Sequence, residues 1–181
     1  MTLGELKKKT LSLIEEIDME EENLTSDPDI AAKLPYVINQ ILHELARFKK
    51  ISAYTTLEVE KDDVLNLEDA LDNFYQLHNI RGVKFEFIDD VSVRFLADGE
   101  ATISYYQYPD NITENTSDAK RINLSEDALE IAPYGIAGDL LKSDVSTGYG
   151  QIYSNRYQQL LQMLDSRYTQ PIIEFENGID L

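Results

Sequence analysis

The amino-acid sequence predicts an α+β fold that is mainly α: a helical bundle of about four helices with a β-rich hairpin or meander insertion and an extended C-terminal tail. Three observations predict this fold class. Apolar residues follow the helical period over residues 2–50. They alternate with polar residues from Ile51, and the helical period returns near Ser125. Two helical segments therefore flank a segment of strands.

The domain organisation follows from these changes of period. A length of 181 residues is typical of one domain that buries its own core. We expect a single domain, 1–181. Its parts are a helical core at 1–50 and 123–168, a β-rich insertion at 51–112 and a C-terminal tail at 169–181.

Two helices are predicted in the first part of the helical core. The first, over residues 2–17, carries an apolar stripe. The stripe consists of Leu3, Leu6, Thr10, Leu13, Ile14 and Ile17. The second has Ser26 or Asp27 as its N-cap and Pro28 in its first turn, and it continues to about Lys50. Because proline lacks an amide hydrogen and clashes with the preceding turn, we expect a break or kink at Pro35.

Two more helices, joined by a short glycine-bearing turn, are predicted over 123–168. Ser125 can cap the first, and Pro133 should begin it or kink it. The second runs from about Thr147 with a tyrosine stripe along one face, which is typical of a buried core face. Gly135 and Gly138 are assigned to helix packing.

The strand predictions start with 51–60, where polar and apolar residues alternate. Residues 67–77 fit a short helix or an extended connection, and we favour the helix. Three further strands are expected at 83–87, 91–95 and 101–106. Asp98 and Gly99 separate the last two and indicate a hairpin turn. The polar stretch 111–120 is expected to be mobile.

The net charge of −18 is the strongest compositional feature. Affinity for phosphates requires clustered Lys and Arg, so this charge argues against binding to nucleic acid or to anionic membranes. It suits either a surface that keeps the protein soluble or one that must lie near DNA without adhering to it. Cysteine is absent, which excludes disulfides and thiolate chemistry. The opening residues form no signal sequence, so we expect synthesis in the cytoplasm.

No pattern of catalytic residues occurs in the sequence. His43 and His78 lack acidic neighbours at metal-ligand spacing, and the adjacent acid pairs match no calcium or two-metal pattern. Phosphate-binding glycine loops and nucleophile elbows are also missing. We therefore predict no catalytic residue, no cofactor, no metal site and no enzymatic activity.

Protein interfaces are the functional sites that the sequence favours. Tyr105, Tyr106 and Tyr108 cluster on one predicted strand, and tyrosine suits surfaces that become buried on assembly. In the tail, Ile172, Ile173 and Phe175 are candidate anchors. The tail can fold back on its own domain or pair with the groove or strand edge of a partner.

Three stretches of the chain resemble the head–tail adaptor (head-completion, connector) proteins of tailed bacteriophages. YVINQILHELA at 36–46 is similar to the second helix of that family, and ATISYYQYPDNIT at 101–113 resembles its strand signature. APYGIAGDLL at 132–141, followed by YSNRY at 153–157, resembles its paired C-terminal helices. Together they extend over most of 28–168.

The resemblance implies a structural protein of the virion neck that is made in the bacterial host cytoplasm. Such proteins dock beneath the portal protein as a ring, typically of twelve copies, extend the DNA channel and receive the tail or a stopper protein. The resemblance also gives the acidity a role, because a negative channel repels DNA phosphates and lets DNA pass without specific binding. Membrane association is not expected.

Other classes remain as alternatives. The chain could be a different ring or tube protein of the phage neck or tail, such as a stopper or tail-completion protein. An acidic regulator that mimics DNA would use the same charge, with acids arrayed along one face. A carboxylate-based hydrolase would need a concave site with two carboxylates in different environments, and the sequence shows none.

Overall fold

Four helices form the bundle in the computed structural model, which describes residues 1–20, 24–142 and 148–165. They are α1 (Leu3–Leu13), α2 (Pro28–Phe48), α4 (Glu126–Leu140) and α5 (Tyr149–Asp165). A one-turn helix, α3 (Leu67–Ala70), lies apart from them in the β-rich part. The leucine and isoleucine stripes predicted for these helices meet in one apolar core.

Local sequence accounts for the starts of α1 and α2. Thr2 and Glu5 form a capping box, with each side chain bonded to the backbone amide of the other residue. Asp27 is the N-cap of α2, and its carboxylate accepts from the amides of Asp29 and Ile30 at 2.8 and 3.2 Å. The prediction that either Ser26 or Asp27 caps this helix is therefore resolved in favour of Asp27.

Of the break or kink expected at Pro35, the break does not occur, because the 21-residue helix α2 runs through this position. Pro133 likewise lies inside α4. Both prolines are buried, so packing around the helix compensates for the backbone hydrogen bond that each proline removes.

Among the described residues, six strands form two antiparallel sheets. The first has the order β1-β6-β3, with β1 (Ile51–Val59), β6 (Gly99–Gln107) and β3 (Phe74–Arg81). The second has the order β2-β5-β4, with β2 (Val64–Asn66), β5 (Ser92–Phe95) and β4 (Phe85–Phe87). Both sheets contribute to a second apolar core that includes Ile103, Phe95 and Val93.

The predicted mainly-α class is wrong. Helix accounts for 43% of the described residues and strand for 24%, so the fold is mixed, with a helical bundle and a substantial two-sheet part. The error arose at 64–81, where Leu67, Leu71 and Phe74 fit helical spacing but only one turn is helical. The rest of this stretch forms β2 and β3, and two register shifts in β3 disrupt the alternation that identifies a strand.

The predicted hairpin at Asp98 and Gly99 is also wrong. Strands β5 and β6 lie in different sheets, so these residues connect the sheets instead of closing a hairpin. The Asp98 carboxylate accepts from the backbone amide of Lys61 at 2.7 Å. The Asp-Gly pair is typical of a hairpin turn, but β6 pairs with β1, forty or more residues earlier in the chain.

The return segment between β6 and α4, expected to be mobile, is tied to the bundle. The amides of Leu3 and Gly4 donate to the carbonyls of Lys120 and Asp118, each at 2.9 Å. Lys7 Nζ lies 2.8 Å from an Asp118 carboxylate oxygen, and the Lys7 side chain is buried. The N-terminal turn of α1 thus fastens this segment against the bundle.

Candidate protein interface

The three predicted interface tyrosines lie on both faces of the first sheet. Tyr105 points into the β core, where it is buried and its ring centroid lies 6.1 Å from that of Phe74. Tyr106 and Tyr108 are partly exposed. Only the latter two are therefore available at the surface of this chain.

Tyr108 joins the end of β6 to helix α2. Its ring stacks on the His43 ring, with centroids 4.5 Å apart and planes 19° apart. Tyr75 packs against the Tyr108 ring, with centroids 4.9 Å apart. The Tyr108 side chain also interacts with the Arg47 guanidinium and raises its pKa. Aromatic and cationic groups of three elements thus meet at one point.

Tyr106 lies beside this group on the outer face of the sheet. Its hydroxyl is 3.3 Å from His78 Nδ1, and Lys50 Nζ lies 4.5 Å from its ring centroid. Lys50 also donates to the Gln76 side chain at 2.9 Å. A cation held over a tyrosine ring is stabilised by the ring quadrupole.

We call the group formed by His43, Arg47, Lys50, His78, Tyr106 and Tyr108 the basic aromatic cluster. It contains both histidines of a chain that carries 34 acidic and 16 basic residues. In the portion of the chain that the structure describes, neither Arg47 nor Lys50 has a carboxylate within 4.0 Å. Two cations beside aromatic rings, without a carboxylate within 4.0 Å in the described residues, make a surface that favours an acidic partner.

His43 is held neutral by its surroundings. Burial lowers the pKa of the imidazole, and the nearby Arg47 charge lowers it further, while a hydrogen bond with Asn111 acts in the opposite direction. Its Nε2 atom is buried without a hydrogen-bond partner among the described residues. The ring contributes packing to the cluster through its stack on Tyr108.

The bulged strand β3 positions the cluster. Register shifts between Phe74 and Gln76, and between Leu77 and Asn79, interrupt its pairing with β6. Bulges re-aim side chains, and here Tyr75 packs against Tyr108 while His78 contacts Tyr106. These partners were not predicted. Of the cations in the cluster, Arg47 lies in the last turn of α2 and Lys50 lies between α2 and β1.

The candidate anchors Ile172, Ile173 and Phe175 lie outside the described residues, as does the whole tail at 169–181. They remain predictions from the sequence.

The described residues contain no group of three or more His, Asp or Glu side chains that could hold a metal ion. An open cleft of about 410 Å³ between α1 and α2 is lined by Lys7, Ser26 and Glu114, among others. Lys7 is already paired with Asp118. The described helices also include none whose length and apolar character would suit a bilayer crossing.

Neither protein-family models nor curated protein sequences yielded a match to this chain.

Proposed function

We propose that the protein is a structural head–tail adaptor of a tailed bacteriophage. In this proposal it docks as a ring of about twelve copies beneath the portal protein, extends the DNA channel and receives the tail or a stopper. It acts in the virion neck after synthesis in the host cytoplasm, and it has no catalytic role.

The supporting observation is that the three stretches that resemble the adaptor family pack on one another. Asn39 of the first stretch is bonded to Ile112 of the second, and His43 stacks on Tyr108. Tyr157 of the third stretch donates to Glu44 of the first at 3.1 Å. The motifs that suggested the family therefore form one structural unit that joins bundle and sheet.

The charge distribution supports assembly between copies. A subunit of net charge −18 repels its neighbours unless opposite charges meet at the contacts. The basic aromatic cluster supplies two exposed cations and two partly exposed tyrosines on such a surface. Tyr106 and Tyr108 are accordingly our candidates for contacts within the ring, while acidic surface elsewhere would face DNA without binding it.

The tail is the proposed attachment to the portal, with Ile172, Ile173 and Phe175 as apolar anchors in a groove or at a strand edge. Deletion of 169–181 should leave the unfolding temperature nearly unchanged, because described residues before 165 already form two apolar cores. Co-sedimentation with the portal protein of the same genome should be lost.

A matched pair of full-length variants sharpens this experiment. Replacing all three anchors by Ala should weaken portal binding at least about tenfold, the loss expected for interface hot spots. Replacing Glu174 and Glu176 by Ala in the same segment should change it much less. Full binding by the anchor variant would contradict the proposed attachment.

A further inference from the structure

The hairpin of β4 and β5 ends in a turn that is both apolar and acidic, and we call residues 87–91 the acidic tip. Phe87 is 58% exposed and Ile88 is 46% exposed. Asp89 and Asp90 follow them, and both are exposed. In the part of the chain that the structure describes, neither carboxylate has a cation within 4.0 Å. Exposed apolar side chains beside charged ones are typical of a protein contact.

Hydrogen bonds give the acidic tip a defined shape. The Ile88 amide donates to the Ser92 carbonyl at 3.0 Å. The Asp89 carboxylate accepts from the Val91 amide at 2.9 Å, which closes the turn. A surface that is ordered before it binds loses little conformational freedom on binding. The acidic tip is therefore suited to dock as a preformed unit.

The acidic tip and the basic aromatic cluster lie on opposite sides of the β-rich part. The second sheet packs on the inner face of the first, because Val93 and Tyr105 share one core. Tyr106 follows Tyr105 in β6 and so points to the outer face of the first sheet. Lys50 and His78 contact Tyr106 on that face. The acidic tip, at the end of the second sheet, therefore lies on the side away from its own cluster.

The two surfaces are complementary in charge and in apolar character. The cluster presents two exposed cations, Arg47 and Lys50, beside two partly exposed tyrosines. Lys50 Nζ lies 4.5 Å from the Tyr106 ring centroid. A carboxylate that approaches this ammonium therefore brings its neighbouring side chains to the tyrosine ring. The acidic tip provides two such carboxylates next to Phe87, whose ring can pack on a tyrosine.

We infer that the acidic tip of one copy docks on the basic aromatic cluster of the next copy. This inference rests on the proposed ring and names the surface that covers the cluster within it. The contact is head-to-tail, because it joins two different surfaces on opposite sides of the β-rich part. Such a contact repeats from copy to copy and closes into a ring when the rotation per copy allows it. It also brings opposite charges together between subunits of net charge −18.

A competing surface is the acidic loop after α1. Ile17 is 37% exposed and Met19 is 61% exposed there, and the acids of residues 15–20 surround them. This loop could also meet the cations of the cluster in another copy. The acidic tip is favoured because Phe87 gives the tyrosines an aromatic partner. The experiment includes the loop as the alternative occupant.

Disulfide cross-linking of the full chain tests the inference, since the chain has no cysteine of its own. Ile88→Cys in the acidic tip would be combined in turn with Gln76→Cys and His78→Cys, which are exposed on β3 beside the cluster. Docking should bring the Cα atoms of at least one pair within the disulfide range of about 4.4–6.8 Å. That chain should give a ladder of covalent dimers, trimers and larger species, because every copy carries both surfaces.

Controls separate docking from random collision. Each cysteine alone can give covalent dimers at most. Ile88→Cys with Lys8→Cys, on the exposed face of α1, should form its ladder at least about tenfold more slowly, because no docking raises the local concentration of that pair. Equal rates for this control pair would overturn the inference.

The products also identify the occupant of the cluster. A fast ladder from a pair that joins the acidic tip to the cluster supports the inference. A cross-linked monomer would show that the acidic tip reaches its own cluster, and would overturn it. A faster ladder with Met19→Cys in place of Ile88→Cys would also overturn it, because the acidic loop after α1 would then be the occupant.

Exchange of charges provides a second readout in the faster of the two cysteine chains. Asp90→Lys and Lys50→Glu should each slow the ladder about tenfold, because like charges then meet at the contact. Both changes in one chain should restore most of the rate, because opposite charges meet again. Asp90→Lys with Lys8→Glu has the same net charge and should remain slow. A double exchange at the contact that recovers no better than this control would contradict the inference.

Portal binding of the same variants keeps this inference distinct from the adaptor proposal. A chain that joins the portal but forms no ladder would overturn the contact between the acidic tip and the cluster, and would leave the adaptor proposal standing. A fast ladder in a chain that ignores the portal would support the contact and contradict the adaptor proposal.

Discussion

The Asn39 carboxamide brackets the backbone of Ile112. Its Nδ2 donates to the Ile112 carbonyl at 2.8 Å, and its Oδ1 accepts from the Ile112 amide at 2.7 Å. The Ile112 side chain is buried in the helical core. One side chain of α2 therefore replaces the strand partner that Ile112 lacks after β6 has ended.

Removing the two hydrogen bonds between Asn39 and Ile112 should destabilise the fold. We expect Asn39→Leu to lower the free energy of unfolding by about 2–4 kcal/mol, because two buried backbone groups lose their partners. Urea unfolding followed by circular dichroism measures the change. The control Gln40→Leu removes one exposed hydrogen bond to Asp139 and should cost less than about 1 kcal/mol. Equal effects of the two substitutions would contradict this role of Asn39.

Gly138 permits the close approach of α4 and α5. A Cβ at this position would lie 2.6 Å from Ser154 Oγ and 3.0 Å from the Ser154 amide nitrogen. We expect Gly138→Ala to destabilise the protein by about 1–3 kcal/mol, as overpacking of a close helix contact does. In thermal unfolding, Ser154→Ala in the same chain should restore only part of the loss, because the backbone contact remains. Full stability of Gly138→Ala would contradict the close packing.

Tyr157 should make stability depend on alkaline pH. Burial raises the pKa of its phenol above the ordinary value of 10.0, and the Glu44 carboxylate that accepts its hydrogen bond raises it further. The fold thus favours the neutral phenol, so this stabilisation is complete below pH 10 and decreases as the pH rises above it. Urea midpoints measured from pH 8 to 11 should fall more steeply for the natural protein than for Tyr157→Phe. Parallel curves would refute this assignment.

His43 should make the free energy of unfolding fall as the pH decreases, the opposite direction to that of Tyr157. Its pKa is lowered mainly by burial from an ordinary value of 6.5, so the fold favours the neutral ring. The stabilisation is complete above pH 6.5 and is lost as the pH falls below it. His43→Phe keeps a ring against Tyr108 and cannot titrate. Between pH 7.5 and 5, its unfolding free energy should therefore fall less than that of the natural chain, and an equal fall would count against the prediction.

The sequence was informative where structure depends on neighbouring residues. Asp27 and Pro28 marked the start of α2, and alternation from Ile51 marked β1, because caps and strand periods are local patterns. Pairing between distant segments was not predictable in this way. Strand β3 has its period disrupted by two register shifts, and β1, one of the two partners of β6, pairs with residues forty or more positions away.

The candidate interface shows the same limit. Tyr106 and Tyr108 were predicted to be interface residues because tyrosines cluster on one predicted strand. Their cationic and aromatic partners come from α2 and β3, and only the tertiary fold brings Arg47, Lys50 and His78 to them. Tyr105, grouped with them in the sequence, points to the opposite face, as the alternation of a strand requires.

The most direct test of the adaptor proposal is the solution mass by light scattering, first of the protein alone and then with the portal protein from the same genome. An adaptor should be either a 20.7 kDa monomer that joins the portal or a preformed ring near twelve times that mass. A stable monomer or dimer that ignores the portal would contradict it.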